Sequence, residues 1–376
     1  MTTRKLAAGL VGAALLVATT ATACSSGDDD GDSGADQGSG SGSGEVAVDE
    51  LLDTLGTDVI VPAYTDLVDS LDGLTTALDG LCAAPTPEGL DTARAAWRSA
   101  ADAWQRTRPV GVGPAMDRRV MSTVGYPARP EDVDELLAGT DPITPESLAG
   151  GRATARGLAT IEILLFAPDG SDQGLAAGPA GGRRCTFAAA ASTLAAQSAG
   201  EVADDWTGAG GGEPYTDVLA AGADGDPQAS LAELVNELAH ALQTVDDQGL
   251  RGIALAETPD DVPEPQRDGP AGHRVADLRA LLATVQLVVE GPAGDDGLSA
   301  LVTSRSADAG ERLDEALAAA VSTVGTLPDS IPATLAVPDD LAAAAEDAGE
   351  LKVELSTEVA SVLGITIGFS DADGDS

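Results

Sequence analysis

The sequence predicts an all-α protein built as two helical-bundle halves. Apolar residues recur at steps of three and four in one segment after another, which is the period of an amphipathic helix. No run of five or more residues alternates apolar and polar as a half-buried strand does. Aromatic residues are scarce, with three Trp, three Tyr and three Phe. The core must therefore come from Leu, Val, Ile and Ala, and Ala-rich, Leu-rich segments favour closely packed helices.

The elements follow in order. Val61, Tyr64, Leu67, Leu71, Leu74 and Leu78 form one stripe, predicting a helix over 59–81 that Pro85-Thr86-Pro87 breaks. A second helix over 87–106 carries Leu90, Ala93, Trp97, Ala100 and Trp104 on one face. A Gly/Pro loop over 108–114 follows, then a short helix over 131–137. A segment opening at Pro145 or Glu146 becomes helical through Ile161, Leu164 and Leu165 and stops before Pro168-Asp169-Gly170. The Gly-rich stretch 170–182 reads as a loop. Long helices are predicted over 185–206 and 230–245. Residues 258–272, rich in proline and acid, read as the boundary or linker between halves at about 46–257 and 273–376. Helices over 275–290, 298–302, 307–324 and 341–363 complete the set.

The N-terminus reads as an export signal. Arg4 and Lys5 precede an uncharged run, Leu6–Ala23, that ends in small residues before Cys24. A cysteine there resembles a bacterial lipobox, which would make residues 1–23 a lipoprotein signal peptide and Cys24 the lipid-bearing residue. Ala21 stands where a lipobox usually has Leu, so a plain signal peptide with an incidental cysteine remains the alternative. Residues 24–45 are almost wholly Ser, Gly and Asp and can join no core, so they read as a disordered tether. The folded part, 46–376, would then hang from the outer face of the cytoplasmic membrane.

The formal charge is -42, from 20 basic and 62 acidic residues. Such a surface repels phosphate backbones, which excludes a nucleic-acid role. After Cys24, only Cys82 and Cys185 remain. In an exported chain this pair reads as a disulfide. Two metal-binding thiols are the weaker reading, because neither cysteine has a histidine near it in sequence.

Several segments together resemble the imelysin family of bacterial periplasmic proteins and lipoproteins. They are Val61-Pro62-Ala63-Tyr64, Leu81-Cys82, Ala96-Trp97, Ala103-Trp104, Val112-Gly113-Pro114, Tyr126-Pro127 and the segment from Gly157 to Phe166. The resemblance runs from residue 55 to the last residue, and it rests on the order and spacing of these motifs. It implies an all-helical fold of two bundle-like halves and a role in iron uptake or its regulation, with iron the expected metal. Some members are described as metallopeptidases. The family signature is Gly-x-His-x-x-Glu. Here Gly157 and Glu162 fit, but Ala159 occupies the histidine position, and a methyl group ligates nothing.

Three candidate metal sites arise. Glu162 sits among Ile161, Ile163, Leu164 and Leu165. It is either a structural carboxylate paired with Arg118, Arg119 or Arg156, or a ligand in a cleft. Glu237 and His240 form a Glu-x-x-His pair, the spacing of di-iron bundles. Such sites need a second pair, and the only other histidine, His273, has no matching Glu, so a surface pair is the simpler reading. Asp371, Asp373 and Asp375 resemble the start of a calcium loop without its twelfth-position Glu, and read as a solvated acidic tail.

There is no His-Glu-x-x-His, Gly-x-Ser-x-Gly or phosphate-loop motif. The sequence therefore points to a non-catalytic, lipid-anchored envelope protein that handles iron or another metal, in contact with iron-uptake components. A metallopeptidase and a metal-free partner-binding lipoprotein are the alternatives.

Overall fold

The computed structural model describes residues 46–166, 175, 182–222, 225–263 and 266–368. The expected signal peptide, Cys24, the tether, most of the 170–182 loop and the acidic tail lie outside the described residues. Among those described, every regular element is helical.

Helix α1 (Val48–Leu55) runs through a π-helical turn, Gly56–Ile60, into α2 (Val61–Ala83). Pro62 cannot donate a backbone hydrogen bond and would clash with the carbonyl one turn back, and the wider turn just before it relieves both problems. The expected α2 stripe is the buried one: Tyr64, Leu67, Leu71, Leu74, Leu78 and Leu81.

Helix α3 (Pro87–Thr107) opens with Thr86, whose hydroxyl accepts from the Gly89 N–H at 3.0 Å, and with Pro87 at the first turn. The short Ala84–Thr86 connection turns α3 back along α2. Helices α4 (Pro130–Ala138), α5 (Gly157–Leu165) and α6 (Arg183–Thr207) follow. Helix α6 packs on α2 and α5. The expected disulfide between Cys82 and Cys185 joins the end of α2 to the start of α6.

Helix α7 (Tyr215–Ala221) packs on α1, and α8 (Pro227–Val245) follows it. The last third contains α9 (Arg274–Glu290), α10 (Leu298–Arg305), α11 (Ala307–Thr326) and α12 (Pro338–Glu354). Helix α9 packs on α3, α8 and α11, so the first helix after the expected linker lies directly against the first half. No described helix is long and apolar enough to cross a membrane.

Two expectations change. The segment opening at Pro145 is two pieces, Pro145–Ala149 and α5, separated by Gly150, Gly151 and a 3-10 turn. Residues 258–272 do more than link. The Asp268 carboxylate accepts from the Arg274 N–H at 3.1 Å and the Ile331 N–H at 2.8 Å, which pins this stretch against the start of α9.

Candidate metal centre

The centre lies where α3, α5 and the start of α9 meet. Gly157 opens α5 at φ +76°. A Cβ there would lie 2.5 Å from the Val124 carbonyl oxygen, so only glycine allows this turn into the helix. One residue on, the Leu158 carbonyl accepts from Trp97 Nε1 at 2.9 Å, which ties α5 to α3.

Glu162 projects from α5 toward the 258–272 stretch. Its Oε1 accepts from the Ala271 backbone N–H at 2.9 Å. The backbone of Gly269 closes over the carboxyl, and a Cβ there would fall 2.1 Å from Oε1. Burial pushes the Glu162 pKa up to about 7. The Ala271 hydrogen bond and His273 oppose the shift, while Asp277 and Asp268 add to it.

Two of the arginines expected beside Glu162, Arg118 and Arg156, are engaged elsewhere, and the third, Arg119, lines a different cavity. Arg118 pairs with Asp205 and with Glu201. Arg156 donates to the Ser122 and Ala149 carbonyls, both at 2.8 Å. Glu162 is thus met by a backbone N–H instead of a guanidinium.

Three unexpected residues complete the group. His273 Nε2 lies 2.8 Å from Asp102 Oδ1 of α3, and its ring meets Trp97 edge-on at 5.9 Å. Asp277 follows one turn along α9. One ligand atom from each of Asp102, His273 and Asp277 falls within 4.8 Å of the others, the one such grouping of three among the described residues. Burial pushes Asp277 up to about 6, against the pull of His273 and Arg274. Burial alone would lower the His273 pKa, but the Asp102 hydrogen bond and the Asp277 charge outweigh it and raise it.

The residues present fit a metal cation. Asp277 Oδ1 is buried with no hydrogen-bond partner, an acceptor placed without a donor. Carboxylate oxygens with one imidazole suit iron, manganese or zinc better than a soft ion. The nearby Arg274 guanidinium offsets part of the negative charge. Asp102 keeps 31% of its side chain exposed, which leaves the cluster open to solvent on that side.

Glu237 and His240 do not join this group. They lie on α8 and line a separate cavity of about 510 Å³ together with Tyr64 and Arg108. Burial raises the Glu237 pKa, and burial and Arg108 lower that of His240. They are half-buried side chains inside a cavity, not the surface pair expected. Tyr126, 41% exposed, lines the same cavity, with Pro127 beyond it. Gly113 and Pro114 open the short helix Pro114–Asp117, which carries Met116 to the cavity wall.

A family model for imelysin matches residues 60–359. The chain belongs to the imelysin family. No curated protein sequence matches it significantly. An imelysin-like protein from Psychrobacter arcticum 273-4 shares 21% identity over 86% of this chain and 97% of its own, with a TM-score of 0.67. An iron-regulated protein A precursor from Parabacteroides distasonis ATCC 8503 shares 16% identity over the same fractions, with a TM-score of 0.72. At these identities the likeness is one of fold.

In this imelysin-family chain the side chain at position 159 is a methyl group, yet the cluster does contain an imidazole. His273 supplies it from the N-cap of α9, within electrostatic reach of Glu162. Two signals in the sequence mark it. His273 and Asp277 are spaced i, i+4 at the start of a helix. Asp102 interrupts the small apolar run from Ala100 to Trp104.

Proposed function

We propose that this imelysin-family protein is an exported envelope protein, lipid-anchored through Cys24, that binds a metal cation, iron foremost. The site is Asp102, His273 and Asp277, with Glu162 alongside, and its task is binding, in concert with iron-uptake components. One observation carries the reading: Asp277, whose Oδ1 is buried and partnerless, brings a carboxylate oxygen within 4.8 Å of an imidazole nitrogen and a second carboxylate oxygen. The iron-regulated description of one structural relative supports the choice of metal.

Calorimetric titration tests the site with ferrous, ferric, manganous and calcium ions. His273→Ala and Asp277→Asn should each weaken iron binding by about tenfold or more relative to wild type. Equal binding by all three proteins would sink the reading. For the anchor, Cys24→Ser should shift the protein from membranes to medium, and an unchanged membrane fraction would count against it.

One observation favours the peptidase alternative. A carboxyl near pKa 7 beside a cation site is poised as a general base. Peptide cleavage lost both on chelation and in Glu162→Gln would establish it.

A further inference from the structure

The 510 Å³ cavity is a site of its own, and its makeup is unusual for this chain. With 62 acidic residues against 20 basic ones, most guanidiniums here have a partner close by. Arg152, for example, pairs with Asp132 and Glu135, and Arg312 with Glu354 and Glu358. Arg108 and Arg119 both line the cavity, and neither guanidinium has a hydrogen bond or ion pair to any described residue. Arg108 is half-buried and feels Glu237 and Asp277 only through space. A half-buried guanidinium that faces a cavity without an acceptor is a ready partner for an anion entering it.

The remaining walls are apolar. Trp104 and Tyr126 offer rings, and Met116 and Met121 offer flexible thioethers. Six large hydrophobic side chains are exposed among the described residues, and three of them, Met116, Met121 and Tyr126, stand around this cavity. That concentration marks a contact surface for an apolar ligand. Arg119 is also the one non-glycine residue with positive φ among those described, at 53°. Held strain of this kind collects at ligand sites.

The charge balance selects the anion. Glu237 shares the cavity with Arg108 and disfavours a dianion such as phosphate. His240, held toward its neutral form, can give or take one hydrogen bond. A volume of about 510 Å³ lies within the range of small-molecule sites.

We propose that this cavity binds a small organic monocarboxylate with an aromatic or branched apolar body. The carboxylate is taken by the Arg108 guanidinium, with Arg119 at the mouth. The apolar body lies against Trp104, Tyr126 and the two methionines. This inference does not depend on the cation reading, because none of the three cation ligands lines the cavity.

Calorimetry with 3-phenylpropionate and its neutral analogue 3-phenylpropanol tests it on the full-length protein. The acid should bind wild type, and the alcohol should bind about tenfold more weakly or worse. Arg108→Gln should weaken the acid by about tenfold or more while leaving the alcohol little changed. Arg119→Gln changes an exposed side chain whose guanidinium has no hydrogen bond or ion pair, so it keeps the test valid if Arg108→Gln fails to fold, and it should weaken the acid severalfold. Arg312→Gln, on a distant surface, should bind as wild type does. No binding of the acid at millimolar concentration would overturn the proposal. Equal affinity for acid and alcohol, or undiminished acid binding in folded Arg108→Gln and Arg119→Gln, would do the same.

Discussion

His273 Nε2 lies 2.8 Å from Asp102 Oδ1, across 171 positions of sequence. The contact joins the N-cap of α9 to the last turns of α3. It stands beside Trp97, which holds α5 through the Leu158 carbonyl. One hydrogen bond therefore ties the candidate site to the packing of three helices.

Removing one partner should expose that dependence. Asp102→Ala leaves a buried imidazole without its acceptor, at a cost of about 1–3 kcal/mol in unfolding free energy. Asp102→Asn keeps a hydrogen-bonding group and should cost less. Urea denaturation with chelator present separates the two. Equal stability of Asp102→Ala and wild type would show that the bond is not formed.

Glu162 should make stability depend on pH. Its folded-state pKa is raised from 4.5 to about 7, so the folded protein holds this proton more tightly than the unfolded chain. The resulting stabilisation is complete below the unfolded value and is lost as pH rises through about 7. Glu162→Gln has no proton to lose there. The variant should therefore gain about 1–3 kcal/mol relative to wild type between acidic and mildly alkaline pH. Metal-free thermal unfolding across that range checks the sign, and a gain in the opposite direction would refute the assignment.

Gly157→Ala should be among the worst small substitutions in the first half. The added Cβ would sit 2.5 Å from the Val124 carbonyl oxygen at a φ that L-residues avoid. A loss of about 2 kcal/mol or more is expected, together with weaker cation binding as α5 shifts. A chemical melt that matches wild type would contradict the turn geometry.

Reducing the Cys82–Cys185 bond should lower stability by about 2–5 kcal/mol, since the bridge closes a 103-residue separation. Differential scanning calorimetry with and without reductant reads the effect. A transition that reductant does not move would mean the bridge contributes nothing.

Much of this molecule was legible before folding. The stripe from Tyr64 to Leu81 is the buried face of α2, because a 3.6-residue period leaves an apolar row one way to hide. The disulfide followed from an even pair of cysteines in an exported chain. Gly157 and Glu162 were legible as a motif, although the partner of Glu162 was not. Arginines near in sequence looked adequate, but Arg118 and Arg156 found nearer acceptors. Short helices such as α7 escaped notice because seven residues carry too little periodicity.

The sequence by itself determined the all-helical architecture, the acidic surface and the absence of histidine at position 159. These are local or compositional facts, set by residue type and spacing. Only the tertiary structure decided that His273 would meet Asp102 and Asp277, and that Glu237 and His240 would share a cavity with an unpaired Arg108. Both arrangements depend on how α9 and α8 cross α3 and its end. Helix packing sets those crossings through the sum of many buried contacts, and no single segment encodes them.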